Sequence, residues 1–106
     1  MIKNIKAFLE YLKFEKYYSQ NTILSYEDDL LQLNRFFSKH FNTGNYFLSE
    51  VDNVTIRLFL GDLIENGLTK KSVVRKLAAV RSFYKYLLRH KLVPNNPTSN
   101  IVTPKV

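Results

Sequence analysis

Cysteine is absent from this 106-residue chain. The chain can therefore form no disulfide, no thiolate metal site and no cysteine nucleophile. This composition fits a reducing compartment, so the sequence predicts a cytoplasmic location. Glycine occurs only three times, and no glycine-rich phosphate-binding loop exists. No segment approaches the roughly 18 consecutive apolar residues of a membrane span, so no membrane partner is expected.

Acidic residues are also missing from one long stretch of the second half. Residues 1–50 carry six basic and six acidic side chains, whereas residues 51–106 carry ten basic and three acidic ones. The net charge of +7 therefore lies entirely in the second half. Between Thr69 and Lys91 there are eight basic residues and no acidic one. A solvated helix face usually interleaves both signs, so this stretch indicates a polyanionic partner.

Apolar residues are spaced as in four helices. Their period of three and four predicts helices over about Ile2 to Lys16, Gln20 to Lys39, Asp52 to Asn66 and Thr69 to His90. The third helix has the apolar positions Ile56, Phe59, Leu60, Leu63 and Ile64. The fourth has Val73, Leu77, Val80, Tyr84 and Leu87.

Residues that start and stop helices support these limits. Ser19, Asp52 and Thr69 are typical N-caps, and Gly67 is placed as a C-terminal capping glycine. Gly61 falls inside the third helix, where glycine costs about 1 kcal/mol relative to alanine. The sequence predicts an all-α fold, a compact four-helix bundle with an extended C-terminal linker. The predicted domain covers residues 1–92, and the proline-containing linker covers residues 93–106.

The fourth helix has two chemically different faces. Its apolar positions start at Val73, and a second series lies about 200° around the axis. That series is Lys71, Arg75, Ala78, Ser82, Lys85 and Arg89. Small residues in its middle would let the helix approach a surface closely. An α-helix fits the major groove of DNA, where lysine and arginine reach bases or phosphates.

A plainer interpretation exists for each of these features. The basic series could simply keep the domain soluble, and Arg81, which lies off that series, suits an interhelical ion pair. Asn21, Thr22 and Ser25 could contact a partner from the first turns of the second helix, or could serve capping alone. The acidic residues Glu27, Asp28 and Asp29 could suggest a cation site, but consecutive helix positions point in different directions, which favours a solvated face.

No catalytic site is predicted, and neither a metal nor a cofactor is expected. His40 and His90 have no neighbour in the sequence of the kind that a metal site or a catalytic triad needs, and both should be exposed. The aromatic pairs Tyr17-Tyr18, Phe36-Phe37 and Phe83-Tyr84 are more typical of a core than of stacking platforms.

Several segments resemble Xer-type tyrosine recombinases of the phage integrase class. The opening of those enzymes is similar to Phe8–Leu12, Ser19–Thr22 and Tyr26–Leu30. Leu68–Leu87 resembles the last helix of their N-terminal, SAM-like core-binding domain. Asn96-Pro97 and Pro104-Lys105 resemble the linker that leads to the catalytic domain.

The resemblance implies a DNA-binding domain for integration and recombination, in a clamp whose second and fourth helices face the major groove. Its partners would be double-stranded DNA, the catalytic domain of the same parent chain and other recombinase protomers on DNA. The catalytic motifs would follow the linker, so this fragment would not be an enzyme. The implied contacts are Asn21, Thr22, Ser25, Lys70, Lys71, Ser72, Arg75 and Ala79, and the basic series adds Ser82.

A rival hypothesis belongs to a different class of function. The basic helix could dock an acidic partner, which would make the domain a protein–protein interaction module. Small helical domains serve both purposes, and the fold alone does not distinguish them.

Overall fold

A computed structural model of the chain describes residues 1–103 and contains four α-helices. They are α1 (Ile2–Phe14), α2 (Gln20–His40), α3 (Asn53–Glu65) and α4 (Lys70–Arg89), and a short 3-10 turn covers Leu48–Glu50. No β-strand occurs within residues 1–103. The predicted all-α class with four helices is therefore confirmed, and the predicted limits are correct to within two residues.

The chain divides into two units, Met1–Tyr46 and Phe47–Val106, the second described as far as Thr103. In the first unit, α1 and α2 pack against each other. Its buried apolar side chains are Ile5, Phe8, Leu12, Leu30, Leu33, Phe37 and Tyr46. The Tyr46 hydroxyl donates a hydrogen bond to Asn34 Oδ1 at 2.5 Å. Burial raises the pKa of Tyr46 above its usual range, so this hydroxyl stays protonated.

The predicted caps begin the helices as expected. The side-chain oxygens of Ser19, Asp52 and Thr69 each accept a hydrogen bond from the backbone N–H three residues later. Gly67 has a φ of +87° and follows the end of α3. The N–H groups of Gly67 and Leu68 donate back to the carbonyls of Ile64 and Leu63. This pair of bonds is the Schellman motif, in which glycine avoids the strain of a left-handed residue.

The turn between α1 and α2 contains a feature that the sequence did not indicate. Tyr17 has a φ of +56°, in the left-handed region that side chains disfavour. Its side chain is 85% exposed, so the aromatic ring packs against little of the chain. The sequence-based assignment of this tyrosine to a core pair is therefore wrong.

In the second unit, α3 and α4 pack against each other. The buried apolar side chains of these helices are Ile56, Phe59, Leu60, Leu63, Val73, Leu77, Ala79, Val80, Phe83, Tyr84 and Leu87. Ile64 was expected among them, but its side chain is 53% exposed. It lies at the edge of the apolar stripe, about 100° around the axis from Leu63. The period places Ile64 near the core without fixing how far the buried face extends.

The C-terminal segment has neither helix nor strand from Val93 to Thr103, but several of its side chains are buried. Val93, Thr98 and Ile101 are at most 8% exposed. Asn96 Oδ1 accepts hydrogen bonds from the N–H and the hydroxyl of Thr98 at 2.9 and 2.7 Å. This part of the predicted linker is folded rather than extended. The predicted domain boundary after residue 92 remains a prediction, and the Pro104-Lys105 resemblance lies outside the described residues.

No helix within the described part of the chain is both long and apolar enough to cross a lipid bilayer.

Candidate nucleic-acid interface

The two faces of α4 predicted from the sequence are present. The apolar face is Val73, Leu77, Val80, Tyr84 and Leu87, and each is at most 1% exposed. On the opposite side, five of the six predicted positions are exposed and Ser82 is half-buried. We call this surface the basic face; it consists of Lys71, Arg75, Ala78, Ser82, Lys85 and Arg89.

The basic face has cationic ends and a small-residue centre. Lys71 and Arg75 lie one turn apart near the start of the helix, and Lys85 and Arg89 lie one turn apart near its end. Ala78 and Ser82 separate the two pairs, and their short side chains project little from the helix. A flat or convex surface could therefore approach the helix backbone while the four long cations reach around it.

The N-terminus of α4 is unusually rich in positive charge. Thr69 Oγ1 accepts a hydrogen bond from the backbone N–H of Ser72 at 3.2 Å, and the first turn contains no acidic residue. Lys70 and Lys71, both exposed, occupy the first two helical positions. The helix dipole places a positive partial charge there, so lysine at this end destabilises an isolated helix. A bound anion would remove this repulsion.

The predicted α4 contacts differ in their access to solvent. Lys70, Lys71 and Arg75 are exposed. Ser72 is half-buried, and its hydroxyl accepts a hydrogen bond from the Thr69 hydroxyl at 3.1 Å. Ala79 is only 4% exposed. It lies one turn before the fully buried Phe83, so its methyl group faces the protein interior and a direct contact by Ala79 is not expected.

The predicted contacts on α2 belong to the first unit and are more closely tied to capping. Asn21 and Thr22 are exposed, and Ser25 is half-buried. The Thr22 hydroxyl lies 2.9 Å from Ser19 Oγ, and the Thr22 N–H donates to that same oxygen at 3.2 Å. Thr22 therefore supports the start of α2, which favours the capping interpretation for this residue.

The exposed part of the basic face extends beyond the contacts that the resemblance implies. Ala78 and Lys85 are exposed on the same face as Arg75, although the resemblance assigned contacts only to the first half of α4. The signal for both was already present in the alternating spacing of four and three. Arg81 lies off the basic face. Its guanidinium donates to the Ile101 carbonyl and the Thr103 hydroxyl, so it fastens the C-terminal segment rather than joining two helices.

The remaining polar candidates do not form a second site. His40 and His90 are exposed, as predicted. The His40 ring stacks on Phe36, with the ring centroids 6.0 Å apart. Asp29 was expected on a solvated face together with Glu27 and Asp28, but it is only 3% exposed. The acidic run is therefore divided between a buried and a solvated position, because consecutive helix residues point in different directions.

Comparison with known proteins identifies the domain. Residues 5–91 match the family model described as the phage integrase, N-terminal SAM-like domain. The chain belongs to this family. The match covers α2, α3, α4 and α1 from Ile5 onward, including the whole of the basic face.

Three similar proteins share the name tyrosine recombinase XerC. The chain is 38% identical over 105 residues to tyrosine recombinase XerC of Bacillus subtilis and 39% identical over 105 residues to that of Bacillus licheniformis. Each alignment covers 98% of this chain and 34% of the relative. The XerC of Leptospira interrogans is 39% identical over 102 residues, which are 95% of this chain and 32% of that protein. This chain thus spans about a third of the length of these relatives. No solved structure matches it significantly.

Proposed function

We propose that this domain binds double-stranded DNA as the core-binding part of a tyrosine recombinase, with the basic face of α4 against the major groove. The main support is the charge arrangement of α4. The helix and its flanks from Thr69 to Lys91 contain no acidic residue, and Lys70 and Lys71 occupy the helix end where the dipole disfavours cations. A charge distribution that is unfavourable within the free protein becomes favourable beside a polyanion.

The dimensions of α4 suit a groove. An α-helix fits the major groove of B-DNA, and the small side chains of Ala78 and Ser82 permit a close approach there. Lys70 and Lys71 would neutralise phosphates at the groove edge, and Arg75 would contact a base edge. Asn21 and Ser25, at the start of α2, are proposed as a second and weaker set of contacts, with Thr22 acting mainly as a capping residue.

The proposed parent protein is a complete recombinase. Its catalytic domain would be joined through the segment after residue 92, and other protomers would bind the same DNA. The two linked domains would close around the duplex as a clamp.

We propose no catalytic role for the residues of this chain, so incubation with supercoiled plasmid should yield no protein-linked nicked product. Double-stranded DNA as the partner agrees with the cytoplasmic location predicted from the sequence.

Fluorescence anisotropy with a labelled duplex tests the proposal. Binding should be micromolar or weaker, because one module lacks the avidity of two linked ones, which can be about 10²-fold or more. Raising the salt from about 50 to about 200 mM should weaken binding roughly tenfold or more, since counterions are released from the DNA.

The rival function predicts a different outcome in the same experiment. An adaptor for acidic proteins needs no affinity for duplex DNA beyond what its charge supplies. Absence of binding at low salt would contradict the DNA proposal and favour the adaptor. Binding that does not depend on salt would contradict the proposed contact of cations with phosphates.

A further inference from the structure

The side of α3 that faces away from its buried residues is apolar in part. Val54, Leu58 and Ile64 are 58%, 49% and 53% exposed. Gly61 lies between them on the same side of the helix and is also exposed. Exposed apolar side chains that cluster on one helix side are a common mark of an interaction surface.

The described structure of the chain does not require glycine at position 61. It occupies the interior of α3, where glycine is a poor helix former. Apart from its chain neighbours and the backbone of its own helix, a Cβ atom placed on it would meet no atom of residues 1–103 within 4 Å, and its φ is not in the left-handed region. Neither packing within the chain nor backbone conformation therefore requires glycine here. A missing side chain in the centre of an exposed apolar surface allows a second backbone to approach closely from outside.

The charges around Gly61 are arranged so that the surface can pair with itself. Arg57 lies four residues before Gly61 and Glu65 four residues after it, and both are exposed. If two α3 helices meet antiparallel about a twofold axis at Gly61, Arg57 of one copy lies at the height of Glu65 of the second copy. Each Leu58 then lies at the height of the second copy's Ile64. A parallel arrangement would instead bring Arg57 beside Arg57.

We propose that this surface, composed of Val54, Arg57, Leu58, Gly61, Ile64 and Glu65, is a homodimerisation surface that docks the same surface of a second copy antiparallel. The contact is isologous, so each Arg57–Glu65 pair forms twice. One helix side supplies much less than the roughly 800 Å² per partner of a standard interface, so association is weak. It does not require DNA and goes beyond the proposed function.

Sedimentation equilibrium over a wide concentration range tests this proposal with charge reversals. The parent domain should show a reversible monomer–dimer equilibrium at its highest concentrations. Arg57→Glu alone and Glu65→Arg alone should each weaken dimerisation at least about tenfold, because like charges then face each other twice. The double variant R57E/E65R should recover dimerisation, and an equimolar mixture of the two single variants should form a heterodimer.

Two further variants determine whether the dimer forms through α3 or through the basic face. Gly61→Leu should abolish the dimer by blocking the close approach, and circular dichroism would confirm that it keeps its helices. The double variant K71A/R75A should dimerise like the parent, because the basic face is not involved. A parent that is monomeric at every concentration, or a dimer indifferent to both charge reversals, would overturn the proposal. Neither result would bear on DNA binding, which anisotropy measures separately.

Discussion

Arg81 and Ile101 connect α4 to the C-terminal segment: the guanidinium of Arg81 donates a hydrogen bond to the Ile101 carbonyl. A second nitrogen of the same guanidinium donates to the Thr103 hydroxyl at 2.5 Å. The Ile101 side chain is only 8% exposed. The segment is therefore held both by hydrogen bonds from Arg81 and by the burial of an apolar side chain. The segment that would lead to a catalytic domain is thereby attached to the helix that is proposed to enter the DNA groove.

Removing this connection should loosen the segment while leaving the helices intact. We expect Arg81→Ala to lower the free energy of unfolding by about 1–2 kcal/mol, because hydrogen bonds to a charged group are lost. Amide hydrogen exchange should become faster between residues 93 and 103. Lys85→Ala, on the exposed basic face, removes the same charge and should change stability by under about 0.5 kcal/mol. Equal effects of the two substitutions would contradict the anchoring role of Arg81.

The helical glycine and the capping glycine should respond in opposite directions to alanine. Gly61→Ala should stabilise the monomer by about 1 kcal/mol, since the added methyl group meets no atom of residues 1–103 within 4 Å outside the adjacent backbone. Gly67→Ala should destabilise it by about 1 kcal/mol, because its φ of +87° disfavours any Cβ. Thermal unfolding at low protein concentration measures both. A loss of stability in Gly61→Ala would show that the helix needs glycine for its own packing.

The left-handed Tyr17 provides a test of backbone strain. Tyr17→Gly should stabilise the domain by about 0.5–1 kcal/mol, because glycine adopts this conformation without steric cost. Tyr17→Ala is the matched control, since it removes the same exposed ring and keeps the strained backbone. Chemical denaturation should separate the two variants. If alanine stabilises as much as glycine, the ring rather than the backbone is the source of the effect.

The cap of α3 is stronger than the others because it also holds a buried hydroxyl. Asp52 Oδ1 accepts from the Thr55 N–H at 2.9 Å and from the Thr55 hydroxyl at 2.8 Å, and Thr55 is 4% exposed. Asp52→Ala should therefore cost about 2–3 kcal/mol, which combines a lost cap with a buried polar group that lacks this acceptor. Ser19→Ala, at an exposed cap, should cost only about 1 kcal/mol. Equal unfolding midpoints for the two variants would contradict this ranking.

Features that depend on local chemistry could be predicted from the sequence. Ser19, Asp52 and Thr69 act through the adjacent turn of backbone, and Gly67 acts through its own φ angle. The faces of α4 follow from a helical period that needs no knowledge of the neighbouring elements. For the same reason the exposed Lys71 and Arg75 could be identified in advance.

Features that depend on distant parts of the chain could not be predicted from the sequence. The period places Ala79 and Ile64 at the edges of their apolar faces, and tertiary packing decides that Ala79 is buried while Ile64 is exposed. The anchoring of residues 93–103 depends on Arg81, more than ten residues earlier, and no local signal indicates such a contact. The φ of Tyr17 is set by the path of the turn between α1 and α2, whereas the residue type argues against it.

The central claim is that the basic face of α4 contacts duplex DNA, and an NMR titration of the domain with a short duplex tests it most directly. Amide shifts should cluster from Thr69 to Ser82 and near Asn21 to Ser25. The double variant K71A/R75A should keep the fold and bind DNA more weakly. The binding free energy should fall by roughly 1–3 kcal/mol for each bidentate base contact that is lost, and by less for a phosphate contact. The control K3A/K13A removes the same charge from the exposed side of α1 and should bind almost like the parent. Shifts confined to α1 or to residues 40–50, or a K71A/R75A variant that binds as tightly as the parent, would contradict the claim.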